Sequence, residues 1–135
     1  MRPVTINAIR DYVIALPLVE PLKTSFGVEP DKHAILVEVI TDNGVHGWGE
    51  IPVELSPGYS PETVATALHV LRNFIKPALI GQTLPDPTAA ARRMRSVRGH
   101  HIARAGTESA VWDAFAKENK MRLVDVFAQM LAVNP

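Results

Sequence analysis

Fourteen acidic residues, fourteen lysines and arginines, five histidines and no cysteine set the chemistry open to this 135-residue chain. Catalysis needs a nucleophile beside a base, a pair of carboxylates with separated pKa values, or a metal held by converging ligands. Without cysteine there is no thiolate zinc site, no disulfide and no cysteine nucleophile. His100-His101 is the one adjacent histidine pair, and helix neighbours point about 100° apart, so the two do not share a metal as residues three or four apart do. They read as a solvated helix start. His33, His46 and His69 are scattered, fit no HExxH pattern, and read as structural. Glu50 and Glu54 could converge across a loop, but Glu50 closes a strand and suits backbone or a neighbouring cation equally well. Arg92, Arg93, Arg95, Arg98 and Arg104 form a basic cluster without interleaved aromatics, which favours a solvated or interface face over an RNA or phosphate site. There is no Walker A pattern and no GxGxxG; Gly47 and Gly49 lie on a strand, where they mark close backbone approach. No catalytic and no metal-ligating residue is assigned.

Two irregular stretches hold the remaining chemistry. Leu22-Lys23-Thr24-Ser25-Phe26-Gly27 combines a cation, two hydroxyls, an aromatic ring and a glycine inside a long connection. Residues 51–59 form a second loop leaving the same sheet, ending at Tyr59, an apolar ring with a hydroxyl at its tip. Loops of this kind contact ligands.

The elements that must carry these loops follow from patterning. With 47% apolar residues and zero net charge, the chain fits one domain with a genuine core and gives no electrostatic footprint for nucleic acid or an anionic membrane. The longest apolar run, residues 12–19, is short for a membrane span and contains Pro17, and the first ten residues lack a signal peptide's apolar core, so cytoplasm is the expected location. Residues 4–16, 33–41 and 46–51 read as strands, the last two joined by the Asp42-Asn43-Gly44 turn. Residues 17–32, with three prolines and Gly27, read as a long loop. Ser60-Pro61-Glu62 has the form of a helix start, with Val64, Leu68, Leu71 and Ile75 on one face until Pro77 ends the run. A second helix is expected over residues 86–99, where Ala90, Met94 and Val97 form its apolar stripe. A third spans residues 101–117, with Ile102, Ala105, Ser109, Trp112 and Ala116 on one face, and a fourth spans residues 123–131, with Val124, Phe127 and Leu131 in register. The alanine-rich third helix is placed centrally. Strands followed by helices predict an α+β domain: a three-stranded antiparallel meander followed by about four helices.

Taken in order, Thr24-Ser25-Phe26-Gly27, Leu36-Val37-Glu38-Val39, NGVHGWGE at residues 43–50, GYSPET at residues 58–63 and ARAGTESAVWDAFAK at residues 103–117 resemble one family. The chain resembles the N-terminal capping domain of the enolase superfamily, muconate lactonizing enzyme subgroup, and looks closest to the o-succinylbenzoate synthases and N-acylamino acid racemases, over residues 1–131. The resemblance implies that Leu22, Ser25, Phe26 and Tyr59 contact a carboxylate substrate held by a following (β/α)8 barrel. It also implies proton abstraction α to a carboxylate, with Mg2+ and the acid–base lysines supplied by that barrel. Residues 132–135 stand where the barrel is expected to begin, so the chain is read as truncated, with no cofactor of its own and Mg2+ only in the barrel's company. Alone it is expected to be inactive, because two specificity loops cannot replace a metal and a base. The alternative is a stand-alone protein-interaction or self-associating module derived from that domain. Homo-oligomers are expected, from the apolar surface a missing barrel would expose.

Overall fold

A computed structural model describes residues 1–132. Strand β1 (Val4–Thr24) pairs antiparallel with β2 (Gly27–Thr41), which pairs antiparallel with β3 (His46–Ile51). The meander of three strands is present, and a fourth, two-residue strand, β4 (Thr83–Leu84), adds to the free side of β1, giving the order β3-β2-β1-β4. Two residues leave no periodicity to read, and β4 forms only because the chain passes beside β1 after the first helical stretch.

The expected loop over residues 17–32 is instead an extension of the β1–β2 ribbon. Ladder pairing runs from Ile6↔Thr41 to Thr24↔Gly27, leaving Ser25-Phe26 as a two-residue turn. The prolines that argued against strand sit at the register shift between the Pro17 and Leu22 pairs, where residues 18–21 bulge opposite Pro30 and a missing N–H breaks no ladder bond. Thr24 Oγ1 accepts the Phe26 N–H at 3.2 Å, and Gly27 takes φ +135°, closing the tip.

Helix α1 (Val64–Val70) starts later than Ser60: Thr63 is its N-cap, in a capping box with Thr66. Pro77 does not end the run. Residues Leu71–Ile75 widen into a π-type turn, and Pro77 then falls in the first turn of α2 (Lys76–Leu79). The widening relieves the clash a proline ring makes with a carbonyl four residues back. The expected helix over residues 86–99 shrinks to α3 (Ala89–Arg93), preceded by an Asp86 carboxylate that accepts from the Thr88 hydroxyl and the Ala89 N–H.

Helix α4 (His101–Glu118) lies across β3 and β2, central as expected; of the expected stripe Trp112 and Ala116 are buried and Ala105 and Ser109 are exposed, and the face against the sheet is Ala103, Gly106, Ala110 and Ala114. Small residues occur all round this helix, so periodicity alone could not orient it. What orients it is the seam with β3. A Cβ on Gly47 would stand 2.6 Å from Ala114 Cβ, and one on Gly106 would stand 2.5 Å from Ile51 Cγ1, so the two backbones are in contact. Beyond the seam, the α4 side chains Asp113 and Lys117 serve the free edge of β3: Asp113 accepts the Trp48 N–H at 2.8 Å, and Lys117 Nζ donates to the His46 carbonyl at 3.0 Å. At the far end of α4, buried Glu118 accepts from Thr41 Oγ1 at 2.9 Å and from Asn43 at the β2–β3 turn.

The last helix, α5 (Leu123–Leu131), has the expected bounds. Its anchor is Val126, buried with Trp112 and Ala116, while Val124 and Leu131 point outward and Phe127 stacks on Trp112 at 4.5 Å. The predicted stripe is thus the outer one, on a helix apolar on most sides. Of the segment 132–135, Ala132 closes α5 at φ 52° and residues 133–135 lie outside the described residues. The core joins one face of the sheet to α1, the π turn, α2 and α4.

Candidate functional site

The β1–β2 ribbon projects past the rest of the sheet, and the loop after β3 rises beside its tip. That loop is pinched at its neck, where Glu54 and Thr63 bridge and the Val64 N–H donates to the Glu54 carbonyl at 2.9 Å. Residues 55–62 therefore form a compact bulge with adjacent ends, an Ω-type arrangement. Lys32 on β2 holds the neck from the other side, its Nζ 3.4 Å from Glu54 Oε1.

Between ribbon tip and bulge lies a cleft of about 500 Å³. Leu22, Phe26 and Tyr59 supply apolar walls, Thr24, Ser25 and Ser56 supply hydroxyls, and Glu29 and Glu54 supply carboxylates. Phe26 and Tyr59 meet edge to face, centroids 6.4 Å apart at 82°, although the two residues are 66% and 86% exposed. All four residues singled out in the sequence (Leu22, Ser25, Phe26 and Tyr59) thus line one cleft, brought together from positions up to 37 apart. Glu50 does not join them: it lines a separate shallow depression with His101 and Ser109, so Glu50 and Glu54 do not form a pair.

Sequence reasoning missed three contributors. Glu29 and Lys32 are hidden when residues 17–32 are read as a loop; once that stretch is a strand, period two places Glu29 within reach of the tip. Glu62 has the place of a helix-start residue, yet its carboxylate accepts the Ile102 and Ala103 N–H groups at 2.8 and 3.0 Å, capping α4 across 40 residues of sequence. No local pattern signals such a contact.

The perturbed titrating groups stand away from the cleft and are explained by their hydrogen-bond and ion-pair partners. Arg72 and Lys76 hold the Asp11 carboxyl below its ordinary range. On the outer sheet face, the Tyr12 hydroxyl donates to Glu38 Oε2 at 2.6 Å and His46 Nδ1 lies 2.6 Å from Glu38 Oε1. Those bonds lower the Glu38 pKa, and the carboxylate in turn raises that of Tyr12. Among the described residues no group of three or more His, Asp or Glu could hold a metal ion. Nor, among the described residues, is any helix long and apolar enough to cross a membrane. The cleft presents apolar walls beside hydroxyl and carboxylate groups.

The chain matches the family model of the mandelate racemase / muconate lactonizing enzyme N-terminal domain over residues 9–127. It is 34% identical over 122 residues to the o-succinylbenzoate synthase of Bacillus subtilis, covering 90% of this chain and 33% of that protein. It is 37% identical over 112 residues to the N-succinylamino acid racemase of Thermus thermophilus, covering 83% and 30%. A crystal structure of an enolase superfamily member from Listeria innocua superposes with TM-score 0.87 at 31% identity, over 92% of this chain and 33% of that one. The chain thus spans about a third of the length of the curated relatives it matches. An α+β fold, a β1–β2 ribbon facing a pinched loop, and a match covering most of the chain agree on one assignment: the chain belongs to the mandelate racemase / muconate lactonizing enzyme N-terminal domain family, the capping domain of the enolase superfamily.

Proposed function

We propose that this chain is the substrate-selecting cap of a Mg2+-dependent lyase or racemase of the o-succinylbenzoate synthase or N-acylamino acid racemase kind, acting by proton abstraction α to a carboxylate. The observation that carries the reading is the cleft itself: two loops distant in sequence converge with apolar, hydroxyl and carboxylate groups, in a domain matching about a third of such enzymes. In this reading the metal and the proton-moving groups come with the barrel, and the cap contributes selection through Leu22, Ser25, Phe26 and Tyr59. Leu22, Phe26 and Tyr59 remove the apolar part of a substrate from water, and Ser25 orients its polar atoms. The chain by itself is inactive.

Exchanging the matching third of the Bacillus subtilis o-succinylbenzoate synthase for this chain tests the proposal. The chimera should turn over, and Phe26→Ala or Tyr59→Ala should raise its KM or change its ranking of N-acyl substrates. Turnover by the chain alone with Mg2+, or loop variants that leave every substrate's kcat/KM unchanged in an active chimera, would refute it. The outward apolar side chains of Val124, Phe127 and Leu131 on α5 favour a second reading, self-association of the chain, which sedimentation over a concentration series decides.

A further inference from the structure

We infer that Glu62 is a positioning residue for the cleft: by binding the first turn of α4, its carboxylate fixes where the Tyr59 loop stands. The inference rests on the cap reading for the cleft's meaning, but the loop's position is measurable without a ligand.

Three observations carry it. Helix α4 has no local cap: its N-cap residue His100 is left-handed, at φ 49°, and makes no side-chain cap bond. The first-turn N–H groups of an 18-residue helix are unsatisfied donors at the positive end of its dipole, and a carboxylate is their natural acceptor. Glu62 supplies both oxygens, to Ile102 and Ala103, and is only 6% exposed, so the pair is shielded from competing water.

The other end of the contact is rigid. The glycine seam locks α4 to β3, so Glu62 grips a fixed point. The loop it holds is otherwise tied at its neck, closed at Glu54 and Thr63, and by the Ser60 hydroxyl, which donates to the Glu62 carbonyl at 3.2 Å, while Tyr59 meets the ribbon at the edge of Phe26. Tyr59 is three residues from Glu62, a span of about 10 Å at most, so the carboxylate limits where the ring can go. The wall of the cleft facing Phe26 is therefore set by a helix that does not line the cleft.

Amide-resolved NMR on the full chain tests this with three variants. Glu62→Ala should raise exchange at Ile102 and Ala103 on the order of tenfold, the scale of a lost helix cap, and abolish the Tyr59–Phe26 ring NOEs. Glu62→Gln keeps one acceptor oxygen and should lose protection at one of the two amides with partial weakening of the NOEs. Ser109→Gly, on the exposed face of α4, should loosen the helix and leave the NOEs intact. NOEs that survive at full intensity in either Glu62 variant while the first turn of α4 loses protection would overturn the inference, leaving Glu62 a helix cap and nothing more. If Glu62→Ala does not fold, Glu62→Gln separates the same two outcomes. A failure of the cap reading, seen in the chimera's kinetics, would not move any of these signals.

Discussion

Substituting Gly49 by alanine tests the contact on which the whole arrangement stands. The added Cβ would lie 2.8 Å from the Ala110 N and 3.2 Å from the Ala110 Cβ, with the Gly106 carbonyl closer still. Carbon contacts settle at about 3.5–4.0 Å, so α4 must retreat by roughly 1 Å, and a gap of that size forfeits about a quarter to a half of each contact's attraction along the seam. Overpacking alone costs about 1–3 kcal/mol; adding the loosened seam gives about 4 kcal/mol, a large share of the roughly 5–15 kcal/mol that holds such a domain together. The melting temperature should fall by about 10–15 °C. Gly44→Ala is the control, since its Cβ meets open space and only the φ of +77° opposes it; it should cost about 1–2 kcal/mol. Adding Ala110→Gly to Gly49→Ala removes the Cβ clash but leaves the two backbone clashes, so it should restore less than half of the loss. Urea unfolding followed by tryptophan fluorescence reads all four proteins. A Gly49→Ala chain within about 0.5 kcal/mol of the parent, inside the range of an ordinary surface change, or one fully rescued by Ala110→Gly, would refute the claim that backbone contact sets the seam.

Two further outcomes follow from the perturbed groups. Asp11 binds Arg72 and Lys76, and its folded pKa lies below the ordinary 3.8; its contribution is therefore complete at neutral pH and is lost as pH falls through 3.8 toward the lower folded value. Asp11→Asn should lower stability at pH 7 and flatten the acid limb of a stability–pH curve, and an unchanged limb would count against the ion pair. Glu38→Gln should bring the raised Tyr12 phenol back toward 10.0, read by phenolate absorbance; a phenol that stays high would show that Glu38 is not the cause.

How much of this is legible in the sequence divides along range. Alternation in Ile35, Val37 and Val39, the Asn43-Gly44 turn and the bounds of α5 are properties of neighbouring residues, and they place the α+β class, the meander and the last helix. The two segments that meet at the cleft, residues 22–27 and 51–59, are legible as unusual stretches, because hydroxyls and aromatics beside glycine are locally uncommon; the choice of Leu22, Ser25, Phe26 and Tyr59 among them rests on the family resemblance. The glycines of β3 likewise announce a close approach, though not what approaches.

The rest needs tertiary structure. Residues 17–32 look like a loop because prolines oppose strands, and only the partner strand shows that they sit at a bulge. Pro77 looks like a helix end because sequence does not reveal whether a helix can widen to pass it. In the first half of α4 the buried face is off by one position from the expected stripe, while Trp112 and Ala116 are buried as expected, because a helix of alanines is almost equally apolar in several directions; the glycine seam chooses among them. Glu62 looks like part of the helix it precedes in sequence and caps the one it meets in space. In each case local chemistry specifies what a residue prefers, while the identity of the group it meets, and so the outcome, is decided by chain segments tens of residues away.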